Sequence, residues 1–178
     1  MAPPRVLIRA PTLGDETEWV ARMRASRRFH RPWIHMPTTP EAYRDYVARN
    51  ADERRAQRIV CRVEDGALVG FINVSEIIRG ALSSAFLGYG GIAGFAGRGY
   101  MSEGMALVLR EAFTTLRLHR LEANIQPGNI ASIALAQRVG FVREGFSERY
   151  LKVGGRWRDH ERWAIRAEQW RAAAHAPT

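Results

Sequence analysis

The sequence predicts an α+β domain built on one mixed, mostly antiparallel sheet with flanking helices. Three observations carry this. Strand-type runs stand side by side between residues 58 and 92, joined by short turns rather than by crossover helices. One strand–turn–helix–strand unit follows, from Ser84 to Gln126. Two more strands joined by Gly154-Gly155 close the pattern β-α-α-β-β-β-α-β-α-β-β. A length of 178 residues, 46% of them hydrophobic and 25% charged, suits a single domain spanning 1–178 with a real core.

The elements follow in order. Arg5 to Ala10 alternates as an edge strand. Gly14-Asp15 opens a helix carrying Trp19, Val20 and Met23. Arg27 to Pro37, rich in aromatic and proline residues, reads as an irregular loop. Thr38 and Glu41 have capping-box spacing and start a helix that runs to about Gln57, with Tyr43, Tyr46 and Val47 on one face. Strands at Arg58–Glu64 and Ala67–Ile78 flank the hairpin turn Glu64-Asp65-Gly66. A third strand, Ser84 to Ile92, ends among Gly88, Gly90, Gly91 and Gly94, which marks a bulge or the close approach of another backbone or ligand. Tyr100 to Arg117 is helical, with Met101, Met105, Val108, Leu109, Ala112 and Leu116 at helical spacing. A strand at Leu121–Gln126, a short helix at Ile130–Val139 and strands at Phe141–Val153 and Trp157–Arg166 complete the domain. The tail from Glu168 reads as peripheral, and no internal repeat or linker appears.

The chemistry centres on Phe95-Ala96-Gly97-Arg98-Gly99-Tyr100-Met101, between the third strand and its helix. Two glycines one residue apart can be a plain tight turn. Ahead of a helix they also let unpaired amides converge where the macrodipole is positive, which suits an anion. The formal charge of +9, with every Lys and Arg except Lys152 an arginine, favours anionic ligands, although no arginine block is long enough for a nucleic-acid arm. One cysteine, Cys61, excludes an internal disulfide and reads as a packed strand residue. His30, His35 and His119 share no metal-type spacing, so no metal is expected. No apolar run suits a membrane span or a signal peptide, so the expected location is cytoplasmic.

The order of elements, with the glycine turn after the third consecutive strand, resembles the GNAT acyl-CoA N-acyltransferases. Leu121-Glu122-Ala123-Asn124, Asn129-Ile130-Ala131-Ser132 and Gly140-Phe141-Val142-Arg143-Glu144-Gly145 resemble the Asn-x-x-Ser … Gly-Phe-x-x-Glu-Gly block of its RimJ/RimL branch, the ribosomal-protein N-terminal acetyltransferases. Arg28-Phe29 with Pro32-Trp33, Arg79-Gly80, Leu87-Gly88-Tyr89, and Tyr150-Leu151 with Gly155-Arg156-Trp157-Arg158-Asp159-His160 are nearest to its RimJ members. The resemblance spans nearly the whole chain and implies a sheet splayed at its central strand.

It also implies acetyl-CoA as donor. The amides of Gly97, Arg98, Gly99, Tyr100, Met101 and Ser102 would hold the pyrophosphate, Gly91 and Ile92 the pantetheine arm beside the splayed strand, and Asn129 the same arm by a hydrogen bond. Ser132 would point at the sulfur as the acid, its alternative being a helix cap. Gly94 and Ala96 stand where the family often has polar side chains, which weakens side-chain support for the pyrophosphate. No dedicated carboxylate base is evident, since Leu151 stands where a glutamate is found in RimL-type chains. Glu76, Glu148 and Tyr150 are the strand residues that could face the cleft, and water could relay the proton. Phe29, Trp33, Asn73, Tyr89, Tyr150 and Trp157 would form an acceptor groove, with His160 structural.

The sequence therefore predicts acetyl transfer to a primary amine by direct attack in a ternary complex. The acceptor expected is a protein N-terminus, of ribosomal type, with nucleic acid involved at most through the ribosome, no membrane, and a monomer or homodimer. A small-amine acetyltransferase for an aminoglycoside or polyamine is one rival, favoured by an acidic groove. A non-catalytic acyl-CoA-binding or RNA-associated module is the other.

Overall fold

The computed structural model describes residues 3–174. Its sheet has seven strands: β1 (Val6–Arg9), β2 (Ala56–Arg62), β3 (Leu68–Ile78), β4 (Ser84–Gly91), β5 (Arg120–Ile125), β6 (Val142–Val153) and β7 (Arg156–Arg166). The spatial order is β1-β2-β3-β4-β5-β7-β6, so β1 is the edge strand its alternation predicts. Every neighbouring pair is antiparallel except β4 and β5. That parallel pair holds only from Ser84–Phe86 against Arg120–Glu122. Beyond Phe86, β4 stays on β3 as far as Gly91 but has no partner in β5. The central split that the family resemblance implies is present.

Helices cover both faces. On one, α1 (Glu16–Ala25) and α3 (Pro40–Ala48) pack Trp19, Met23, Tyr43 and Tyr46 against Ile59, Cys61 and Phe71. Trp19 is fully buried, stacks on Tyr46 with ring centroids 4.9 Å apart, and donates Nε1–H to the Pro37 carbonyl at 3.1 Å. On the other, α4 (Tyr100–Thr114) lays Met105, Val108, Leu109 and Ala112 on Val60, Ile72, Leu87 and Leu121. α5 (Ile130–Arg138) adds Ala136 to that core. Gly104 lets α4 approach closely: a Cβ there would lie 2.8 Å from Val60.

Several boundaries differ from the sequence reading. The α3 cap is Thr39, whose Oγ1 accepts from the Ala42 amide at 3.3 Å, with Pro40 at the first helical position. The helix stops at Ala48, because the turn Arg49–Ala51 and the Asp52 side chain, which accepts from the Arg54 amide at 2.9 Å, offer the backbone local partners. Gln57 is thus a strand residue. The Arg27–Pro37 segment contains one helical turn, α2 (Arg27–His30). β4 is regular against β3 from Phe86 to Gly91, so its glycines mark no bulge; Gly90 marks a close approach, since a Cβ there would lie 2.7 Å from both Phe71 and Ile34.

The described part of the tail packs on the core. Ala167–Ala174 forms α6, and Trp170 packs on Phe113 of α4 with centroids 5.6 Å apart; residues 175–178 lie outside the described part. Trp170→Ala is expected to lower unfolding stability by about 2 kcal/mol, roughly half the cost of emptying a fully buried aromatic site. Urea denaturation measures it, and a midpoint equal to wild type would show that α6 adds no stability.

Candidate active site

The split makes a cleft between the ends of β4 and β5. The Ile92 amide donates to the Val69 carbonyl at 2.9 Å, so alternation along β4 turns the backbone groups of Gly90 toward β3 and those of Tyr89 and Gly91 toward the opening. The Gly91 carbonyl is already taken, accepting from His30 Nε2–H at 2.8 Å. Its amide remains, and Gly88, where a Cβ would meet nothing within 4 Å, leaves the strand bare. In the opposite wall, Asn124 Oδ1 is buried and has no hydrogen-bond partner among the described residues. A strand edge with free amides, facing an unsatisfied acceptor, fits an extended amide-bearing chain laid into the gap.

At the mouth of this cleft stands the glycine turn. Gly97 (φ +75°) and Gly99 (φ +83°) occupy the left-handed region, where L side chains are strained, and Gly99 caps α4. The amides from Gly97 to Met101 make no backbone hydrogen bond among the described residues, whereas Ser102 and Glu103 both donate to the Gly99 carbonyl. Arg5 braces the turn from β1's end: it ion-pairs with Glu103, donates to the Arg98 carbonyl at 3.1 Å and lies over the Tyr100 ring. Arg22, Arg62 and Arg98 surround the Phe95 ring at 5.2 to 5.9 Å, and Arg138 of α5 donates to Ser102 Oγ at 3.4 Å. Five unpaired amides at a helix N-terminus, rimmed by arginines, fit a pyrophosphate.

Deeper in, Asn129 caps α5: its Oδ1 accepts from the Ser132 amide at 3.2 Å. Ser132 is therefore not the cap, and its hydroxyl is free for another task. Ser132 Oγ–H donates to the Tyr89 hydroxyl at 2.8 Å, and Tyr89 donates on to the Ser132 carbonyl at 3.1 Å. Burial pushes the Tyr89 hydroxyl up to about 12, so it stays protonated at working pH.

Residues 5–142 match the family model of the acetyltransferase (GNAT) domain. The chain belongs to the GNAT acetyltransferase family. It is 41% identical over 101 residues to the probable N-acetyltransferase YjcK of Bacillus subtilis and 34% identical over 107 residues to the [ribosomal protein uS5]-alanine N-acetyltransferase of Escherichia coli. Those alignments take in 57% and 60% of this chain, and the chain spans little more than half of the two relatives, 56% and 55%. Among solved structures, RimJ of Mycobacterium smegmatis in complex with CoA-disulfide is 29% identical with a TM-score of 0.84, over 95% of this chain and 89% of that one. A spermidine N-acetyltransferase of Vibrio cholerae, in complex with CoA and spermine, shares the fold at 19% identity and a TM-score of 0.80, over 94% and 99% of the two chains.

Within this GNAT frame the sequence-predicted residues separate. Asn129 and Ser132 line the cleft, and the turn from Gly97 to Met101 follows the open end of β4 at Gly91. Ile92 has no free backbone group: its amide and its carbonyl, which accepts from the Phe95 amide, are both spent, and its side chain is buried. Tyr89, expected on the acceptor side, pairs with Ile72 on the α4 face and binds Ser132. Glu76 sits beside the β3 irregularity, near the closed end of the β4–β5 pair, with φ +50° and an ion pair to Arg55 at 3.4 Å. Glu148 is exposed within the β6 irregularity between Ser147 and Leu151. Neither lines the cleft, so neither is placed to act as base. Trp33 does line it, accepting at its carbonyl from Gln126 Nε2 at 3.2 Å. Phe29 is exposed beside His30, and Asn73 accepts from the Tyr46 hydroxyl at 2.7 Å on the α3 side. Tyr150 meets His160 edge-on at 6.3 Å, while Trp157 is exposed near the hairpin end of β7. Sequence reasoning missed the Arg5 brace, the Arg138 contact, and His160 in the cleft wall.

Proposed function

We propose that the protein transfers the acetyl group of acetyl-CoA to the N-terminal α-amine of a protein, of the ribosomal-protein type. One observation carries the acceptor class: none of the described residues lining the cleft is Asp or Glu. A polyamine or aminoglycoside is a cation that needs carboxylates for binding, and a formal charge of +9 opposes it. An α-amine has a pKa of about 7.7–8.0 against about 10.4 for a lysine side chain, so a sizeable neutral fraction exists near neutral pH without a strong base. The E. coli uS5-alanine N-acetyltransferase and M. smegmatis RimJ support the same class.

In this reading acetyl-CoA supplies an activated thioester. The amides of Gly97 to Met101, with Arg98 and Arg138, bind its pyrophosphate, which supplies the side-chain support absent at Gly94 and Ala96. The Gly91 amide and the Asn129 side-chain amide hold the pantetheine arm, and Ser132 protonates the leaving sulfur. Trp33 and Tyr150 border the entry for the first acceptor residues, and the reaction is cytoplasmic.

Short peptides beginning with Ala or Ser should be acetylated, and the same peptides with a blocked N-terminus and a free lysine should not. Mass spectrometry that puts the acetyl group on lysine, or finds it only on spermidine or an aminoglycoside, would overturn the acceptor class.

A further inference from the structure

We propose that His160 is the catalytic residue that takes the proton from the attacking amine. The inference rests on the acetyl-transfer reading above and supplies the base that no carboxylate in the cleft provides.

The geometry fixes the tautomer. His160 is 3% exposed and lines the cleft together with Trp33, Asn124 and Ser132. Its Nδ1 lies 2.9 Å from the Arg158 carbonyl. A carbonyl only accepts, so the proton is on Nδ1 and the lone pair is on Nε2. No protein donor among the described residues occupies Nε2. The Nδ1 bond joins His160 to a residue two positions away on its own strand, so it ties no two elements together. What it does is orient the ring.

The sheet register puts the His160 side chain on the face of the sheet that the acid does not use. Ala123 and Trp163 pair across β5 and β7 and belong to the core under α4 and α5. Asn124 pairs with Arg162, so Arg162 and His160, two residues apart, share the other face. Ser132 and Tyr89 lie on the α4–α5 side. A thioester entering from the glycine turn meets Ser132, and an amine entering past Trp33 meets His160. As the nitrogen–carbon bond forms and the carbon–sulfur bond breaks, Nε2 receives the proton lost from nitrogen. The sulfur takes one from the Ser132–Tyr89 hydroxyl pair. The products are an amide and a thiol, and water returns the proton from imidazolium to the hydroxyl pair.

The groups near His160 are Trp33 across the cleft, Asn124 and Gln126 in its own wall, Ser147 and Tyr150 on β6, Arg162 two positions along the same face of β7, and Tyr89 and Ser132 beyond. Arg158 and Asp159 flank it on β7. Burial lowers the His160 pKa below its ordinary value, with the Arg158 carbonyl and the Asp159 charge opposing. The ring is therefore neutral and able to accept at neutral pH.

The test uses the full chain, acetyl-CoA and an Ala-initiated peptide, with His160→Gln and His160→Ala. Both variants should keep wild-type CoA affinity by calorimetry, while His160→Gln loses about 10²-fold or more in kcat, the scale of a positioned proton acceptor. The acid limb of wild-type log kcat/KM against pH should steepen from slope one to slope two as His160 titrates below the peptide amine. In His160→Gln it should stay at slope one. Imidazole should restore turnover to His160→Ala, and the NMR titration of His160 in the free enzyme should match the second break. A His160→Gln enzyme within threefold of wild type, or a slower one with an unchanged limb and no imidazole rescue, would overturn the assignment. A wild-type protein that acetylates no peptide would instead overturn the parent reading, and this one with it.

Discussion

Gly99→Glu is expected to weaken CoA binding by about a thousandfold. The residue caps α4 at φ +83°, which disfavours any side chain, and a Cβ there would lie 3.1 Å from the Arg5 guanidinium that braces the turn. The larger effect is charge. A carboxylate about 4 Å from a phosphate, at an effective dielectric of about 20, costs roughly 4 kcal/mol, which is about three powers of ten in affinity. A glutamate there can also turn Arg5 away from Glu103 and the Arg98 carbonyl, loosening the cradle itself. Gly99→Asn separates the two causes, since asparagine tolerates the left-handed region and adds no charge; it should keep most of the affinity. Calorimetry with CoA measures both. Unchanged affinity in Gly99→Glu would remove the turn from the binding site.

What the sequence made legible was local. The glycine turn, the Asn-x-x-Ser cap and the hairpin glycines are short-range patterns, because a positive φ or a side-chain cap is decided within a few residues. The helix ends were less legible, since Asn50 and Asp52 stop α3 through side-chain bonds that no apolar periodicity reports. The long-range side-chain contacts could not be read from any local pattern. Arg5 reaches Glu103 across 98 positions, and Ser132 meets Tyr89 across 43. Both contacts exist only once β1 lies near α4 and the β4–β5 split lets α5 approach the open end of β4. The same split decides which strand residues see substrate. Glu76 and Glu148 alternate plausibly on paper, yet one falls near the closed end of the β4–β5 pair and the other on the outer strand. His160, two positions from a register partner of Asn124, falls inside.

Ser132→Ala should lower kcat by about 10²–10⁴-fold with little change in CoA affinity, as for an acid that acts only as the bond breaks. The substitution leaves the helix intact, because Asn129 caps the backbone amide of residue 132 and not its side chain. It also leaves Tyr89 a partner, since the tyrosine hydroxyl still donates to the residue 132 carbonyl. The stability loss should stay near 1 kcal/mol, the worth of one hydrogen bond, so a large fall in turnover cannot be unfolding. Tyr89→Phe tests the other half of the pair. If the two hydroxyls act as one proton source, removing the second after the first costs little. The double variant should then be about as slow as Ser132→Ala alone, a non-additivity expected of groups that share a proton. Additive losses would mean two separate roles. Near wild-type turnover in Ser132→Ala would leave this serine a first-turn residue of α5 and pass the acid to Tyr89, which burial keeps protonated and which already touches the same oxygen.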